Sequence, residues 1–97
     1  MSGGVIESLD HVSVLVADTG HALEFYRDIL GMGVDHSRPE LAYPGAFLNI
    51  GDGRQIHLIE LPNPDPVEGR PAHGGRDRHT ALRIRSLDRM IARLEAA

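Results

Sequence analysis

Three histidines lie within short alternating segments that predict β-strands: His11, His57 and His79. Successive side chains of a strand point to opposite faces of a sheet, so position along each segment sorts the side chains. In each segment the residues flanking the histidine form the more apolar face, which we expect to pack beneath helices. Imidazole binds Zn, Fe, Ni and Cu without thiolates, and three protein ligands leave room for water or substrate. Three imidazoles on one sheet face would therefore form a catalytic type of metal site.

Other side chains are expected on the same face. Phe47 and Asn49 fall there if their short strand is in register, and Arg83 follows His79 with the same parity. The arginine could hold a carboxylate or phosphate through paired hydrogen bonds. Each of these residues is also common on ordinary protein surfaces. A single histidine on a strand is more often a hydrogen-bonding residue than a metal ligand. Only the shared face groups them into a site.

The nearby carboxylates are not expected to join this group. Glu60 has the opposite parity to His57, and Asp10 is expected to point away from His11. Asp18 is better placed to cap a helix, because its side-chain oxygen can accept the free N–H groups of a first helical turn. The sequence contains no Gly-x-Gly-x-x-Gly motif, phosphate loop or nucleophilic serine elbow.

A weak internal repeat organises the chain. The segments His11–Asp18 and His79–Ser86, offset by 68 residues, share a leading histidine, alternating apolar positions and a final helix-capping residue. Each predicts a strand followed by a helix, and the first helix is marked by apolar residues at helical spacing, such as Leu23, Tyr26 and Leu30. The sequence also predicts a hairpin, with strands over residues 46–50 and 54–61 joined by a Gly51-Asp-Gly53 turn. Residues 34–38 predict a short edge strand.

These elements predict an α+β fold. Residues 1–97 form a single domain in this interpretation, with a complete βαβββ module over residues 5–61. A connector rich in proline and glycine covers residues 62–76, and residues 77–97 begin a second module that lacks its returning strands.

Composition narrows the classes of function. The chain has 97 residues, of which 41% are hydrophobic and 25% charged, as in a small globular domain. There is no cysteine, which excludes thiolate sites and disulfides, and a cytoplasmic location fits. The net charge of −4 argues against nucleic acid as the main partner, and no apolar run is long enough to predict a membrane span.

Five segments in order resemble the vicinal oxygen chelate superfamily, which includes glyoxalase I, bleomycin-resistance proteins and extradiol dioxygenases. They are Leu9–Val12, Phe25–Gly31, Arg38–Pro39, Gln55–Glu60 and His79–Leu82. The resemblance implies βαβββ modules that curl into a cupped, open barrel holding metal and substrate. It matches His11, His57 and His79 to ligands of a divalent metal such as Zn, Ni, Fe or Mn. The fourth family ligand is a glutamate near the end of the last strand, which this chain does not reach.

The resemblance leaves three functions open. The first is a metal-dependent lyase or dioxygenase acting on a small oxygenated substrate, with Phe47, Asn49 and Arg83 as substrate contacts. The second is a metal-free ligand-binding protein of the bleomycin-resistance type, and the third is an inactive, truncated family member. Because a module without its returning strands would expose a sheet edge and an apolar face, we also expect a homodimer.

Overall fold

The computed structural model describes residues 4–97 and divides the chain into two compact units, Met1–Pro62 and Asn63–Ala97. The first unit contains all four strands of the described residues. Its elements are β1 (His11–Val16), α1 (Thr19–Leu23) continuing as a π-helical segment (Glu24–Ile29), β2 (Gly33–Asp35), β3 (Gly45–Asn49) and β4 (Gln55–Glu60). The strand, helix, three-strand order predicted for the first module is confirmed.

The four strands form one mixed sheet in the order β1-β4-β3-β2. β4 pairs antiparallel with β3 and parallel with β1, so the strand that closes the module lies beside the strand that opens it. β2 pairs with β3 through only three residues, fewer than the predicted edge strand over residues 34–38. The β3–β4 turn has positive φ at Gly51 (98°) and Gly53 (88°), a conformation that glycine adopts without a Cβ clash.

The hydrophobic core lies on one side of this sheet. Its buried members are Met32, Ala46, Leu48, Ile56 and Leu58, and partly buried side chains from β1 and the helical segments pack against them. Leu23, Tyr26 and Leu30 are among these packing residues, as their spacing predicted. The side of the sheet that carries these residues is called the core face below.

The helical segment after β1 begins as expected but widens. The Asp18 side chain accepts a hydrogen bond from the His21 N–H at 2.7 Å, and the Glu60 side chain accepts one from the Thr19 N–H at 2.7 Å. Further along, the Leu30 N–H reaches the Phe25 carbonyl, five residues back, at 2.9 Å. Such wide turns are rare insertions in α-helices, and nothing in the apolar spacing predicted one.

The second unit contains a short 3₁₀ turn (Gly74–Arg76) and one helix, α2 (Leu87–Ala96). Ser86 caps α2 as predicted, accepting from the Arg89 N–H at 3.2 Å. The predicted strand from His79 to Ser86 is wrong, because residues 63–97 contain no strand. A strand needs a hydrogen-bonded neighbour, and this unit supplies none, so the alternating pattern there has no ladder to join.

No helix of the described residues 4–97 is both long and apolar enough to cross a bilayer.

Candidate functional site

The predicted histidine face exists in the first unit, on the side of the sheet opposite the core face. The strand register places His57 between Ser13 on β1 and Phe47 on β3, and Gln55 between His11 and Asn49. His11, Phe47, Asn49 and His57 therefore share one face, as predicted. We call this group, with Gln55, the histidine face.

The rings of the histidine face form a three-membered stack. The His57 ring lies 3.6 Å from the Phe47 ring, centroid to centroid, with only 9° between their planes. The His11 ring covers the other side of His57 at 4.0 Å and 16°. The guanidinium carbon of Arg38 lies 5.7 Å from the centroid of the Phe47 ring, within reach of a cation–π contact. His57 is thus enclosed on both ring faces and open only at its edges.

This enclosure favours the neutral form of His57. Burial is the main cause that lowers the pKa of its imidazole; the neighbouring His11 and Arg38 lower it further, while Asp10 and Asp35 act in the opposite direction. Metal ions bind neutral imidazole, so the direction of the shift suits a ligand. It equally suits a neutral histidine that hydrogen-bonds a bound molecule.

Hydrogen bonds occupy one nitrogen of each ring. His11 Nδ1 lies 2.8 Å from Asp10 Oδ2, and His57 Nε2 lies 2.8 Å from Gln55 Oε1. The expectation that Asp10 points away from His11 is wrong, since Asp10 precedes the first residue of β1 and is not bound by strand alternation. His11 therefore keeps Nε2 free, and His57 keeps Nδ1 free.

Whether this pair of histidines fits a divalent metal depends on the chemistry of the donor atoms and on the directions in which their lone pairs point. Two neutral imidazoles with one free nitrogen each have the right chemistry. Each ring, however, donates its lone pair within its own plane, and these planes are almost parallel. One ion at about 2.1 Å from both nitrogens would require one ring to turn about its side-chain bonds. In the described part of the chain, no three His, Asp or Glu side chains gather into a metal-holding group.

His79 and Arg83, the remaining predicted site residues, lie in the second unit. The ring of His79 is exposed, and its Nδ1 lies 2.9 Å from the Asp77 carbonyl oxygen, which leaves Nε2 free. Arg83 is also exposed. Their grouping with the histidine face stays a prediction.

The nearest other carboxylates have structural partners. Glu60 has the predicted opposite parity and holds the first N–H of α1. Asp35, at the end of β2, was missed by sequence reasoning. It accepts hydrogen bonds from the Ser37 N–H (2.9 Å), the Ser37 hydroxyl (2.6 Å) and Gln55 Nε2 (2.8 Å). An Asp-x-Ser sequence is the one signal that could have indicated such a local turn.

Asp35 yields a prediction about acid stability. The hydrogen bonds from Ser37 and then from Gln55 lower the pKa of its carboxyl from 3.8 to about 2. Because the pKa is depressed in the folded state, its stabilisation is complete above about pH 4 and is lost as the pH falls towards 2. We expect the urea midpoint to fall less between about pH 4 and pH 2 for Asp35→Asn than for the unchanged chain, because asparagine has no carboxyl group to protonate. Equal slopes for the two proteins would contradict this role.

Comparisons with known proteins agree with this architecture. Residues 8–97 match the family model of the Glyoxalase/Bleomycin resistance protein/Dioxygenase superfamily. The chain is 34% identical over 91 residues to "Glyoxylase I 4" of Arabidopsis thaliana, covering 93% of this chain and 51% of that protein. It is 36% identical over 63 residues to mitochondrial methylmalonyl-CoA epimerase of Mus musculus, covering 63% of this chain and 35% of that protein. The chain thus spans about half, or less, of the length of these curated relatives.

A solved structure shows the same fold. The crystal structure of a glyoxalase family protein from Bacillus anthracis superposes with a TM-score of 0.71, covering 98% of this chain and 73% of that one, at 21% sequence identity. That identity supports a shared fold and no more. With the family match over residues 8–97 and the βαβββ order of the first unit, the chain belongs to the Glyoxalase/Bleomycin resistance protein/Dioxygenase superfamily.

Proposed function

We propose that this chain contributes to a divalent-metal-dependent active site with isomerase- or lyase-type chemistry on a small oxygenated substrate. The observation that carries the proposal is the pairing of His11 and His57 on the open face of the sheet, 4.0 Å apart between centroids. A glyoxylase and an epimerase among its relatives support this class of reaction.

Each residue of the histidine face has a role in this proposal. His11 and His57 would hold the metal through Nε2 and Nδ1, the nitrogens left free by Asp10 and Gln55. The metal, when bound, polarises substrate oxygens as a Lewis acid. Phe47 supplies an apolar wall behind His57, and Asn49, exposed at the end of β3, offers an amide to a polar substrate group.

The proposal also keeps the roles that the family resemblance implies for His79 and Arg83. His79 would be the third imidazole ligand, since its Nε2 is free of the contact with Asp77. Arg83 would bind a carboxylate or phosphate of the substrate through two parallel hydrogen bonds.

Proton transfer needs an unengaged carboxylate, and the described carboxylates near the histidine face already have partners. Asp35 accepts hydrogen bonds from Ser37 and Gln55. Glu60 is bound to the first turn of α1, and Asp10 is bound to His11. We therefore propose that the base comes from another chain, as in a homodimer, and that metal binding is a more direct test of the site than turnover. We also propose, as a separate point, that the protein is cytoplasmic.

Calorimetric titration with Zn²⁺ tests the proposal. The full chain, stripped of metal and held at about pH 7.5 so that imidazoles are neutral, should bind close to one ion per site. His57→Ala should weaken binding by about 100-fold or more, beyond the upper range seen for outer-shell changes. His36→Ala is the matched control, because His36 is exposed and lies off the histidine face.

A second function is favoured by one observation. The parallel ring planes of His11 and His57 suit a closed stack better than a chelating pair. This favours a metal-free cup that binds a small molecule against the Phe47–His57–His11 stack. Absence of Zn²⁺ binding by a folded chain, with native mass showing its assembly state, would overturn the metal proposal in favour of the binding protein.

A further inference from the structure

A chain of hydrogen bonds links side chains of three strands on the histidine face. His57 Nε2 lies 2.8 Å from Gln55 Oε1 on the same strand. The amide nitrogen of Gln55 lies 2.8 Å from Asp35 Oδ2 on β2 and 2.9 Å from Asn49 Oδ1 on β3. Gln55 is therefore the side chain of this hydrogen-bond chain that contacts both a carboxylate and the ring of His57.

The chemistry of these groups fixes the direction of every bond. An ionised carboxylate only accepts hydrogen bonds, so the Gln55 group facing Asp35 must be its NH₂. The Gln55 oxygen then faces His57, and an amide oxygen also only accepts. The proton between them must belong to the ring, on Nε2. The lone pair of His57 is consequently on Nδ1.

Packing removes the other orientations of the ring. Phe47 at 3.6 Å and His11 at 4.0 Å cover the two faces of His57, so the ring cannot tilt freely. A half-turn of the ring would remove Nε2 from Gln55 and leave the amide oxygen without its donor. The bond to Gln55 thus decides which nitrogen is protonated and which edge of the ring stays open.

We propose that Gln55, oriented by Asp35, is a positioning residue that holds His57 as the Nε2–H tautomer and presents Nδ1 to a bound metal or ligand. The tautomer follows from the described contacts alone; the part concerning metal rests on the proposed function. Groups that orient a ligating histidine commonly change metal affinity by 10–100-fold when removed.

Long-range ¹H–¹⁵N correlation spectra of the labelled full chain test the tautomer. At about pH 8 the rings are neutral, and exposed His36 provides an internal reference for an unconstrained imidazole. The ratio of Nε2–H to Nδ1–H forms should be about tenfold higher for His57 than for His36, as expected for one buried hydrogen bond. A ratio equal to that of His36, or a dominant Nδ1–H form, would overturn the proposal.

Three variants separate positioning from simple packing. Gln55→Met keeps the bulk of the side chain but removes the amide, and should return the His57 ratio to that of His36. Asp35→Asn lets either end of the Gln55 amide face position 35, and should lower the His57 ratio towards that of His36. Ser13→Ala is the matched control, because Ser13 stands opposite His57 on β1 and takes no part in the hydrogen-bond chain. A Gln55→Met spectrum identical to that of the unchanged chain would overturn the proposal.

A Zn²⁺ titration of the same variants separates the positioning role of Gln55 from the metal-dependent function. Gln55→Met should weaken Zn²⁺ binding by about 10-fold or more, whereas Ser13→Ala should bind Zn²⁺ like the unchanged chain. If the tautomer shifts as expected but no protein binds Zn²⁺, the positioning role of Gln55 stands and the metal-dependent function fails. If Zn²⁺ binds and the Gln55→Met ratio does not shift, the positioning role fails alone.

Discussion

Replacing Gly45 by alanine should destabilise the first unit by about 3 kcal/mol or more, towards the upper end of overpacking effects. A Cβ atom at Gly45 would lie 2.1 Å from the carbonyl oxygen of Leu58 and 3.2 Å from Arg38 Nη2. The arginine could move aside, but the carbonyl belongs to the backbone of β4. Relief would require β3 and β4 to separate where Gly45 pairs with Ile59.

Urea unfolding followed by circular dichroism measures this effect. Gly33→Ala is the matched control, because Gly33 is also a strand glycine and a Cβ added there would meet no atom within 4 Å. Its free energy of unfolding should change by about 1 kcal/mol or less. Similar urea midpoints for the two variants would show that the close approach of β3 to β4 is not what requires glycine at position 45.

Truncating Leu48 to alanine should cost about 2–5 kcal/mol, the usual range for a buried leucine. Leu48 is completely buried and stands between Val34 and Ile56 in the register of the sheet. It therefore links three strands on the core face. Since small domains have a total stability of only about 5–15 kcal/mol, the variant should be partly unfolded in mild denaturant.

The comparison for Leu48→Ala is Leu15→Ala on β1. Leu15 lies on the side of the sheet opposite the core and is 38% exposed. Its loss should cost about 1 kcal/mol or less, because little apolar surface leaves water when it folds. A larger loss of stability for Leu15→Ala than for Leu48→Ala would mean that the core and histidine faces have been assigned the wrong way round.

The local features of the first unit, its strand faces and helix caps, could be predicted from the sequence. Alternation along β1 and β4 correctly separated the side of His11 and His57 from the side of Ile56 and Leu58. The caps at Asp18 and Ser86 were also predicted, because capping depends on one side chain and the N–H groups two or three residues away.

The misses share a physical cause. The alternating residues after His79 resemble those of β1, yet only β1 has a strand beside it, and a pattern cannot reveal whether a partner exists. The contact of Gln55 with Asp35 spans 20 residues and depends on the sheet order. Neither the stacking of His57 nor its tautomer could be deduced before β1, β3 and β4 were placed side by side.

The parallel pairing of β1 with β4 has a consequence for how the chain folds. β3 and β4 are joined by a short turn, whereas β1 must find β4 across more than half of the first unit. Contacts between residues far apart in sequence form slowly, because a long loop must be closed before they are gained. The two imidazoles therefore come together only once β1 pairs with β4, because the β3–β4 hairpin by itself carries His57 but not His11.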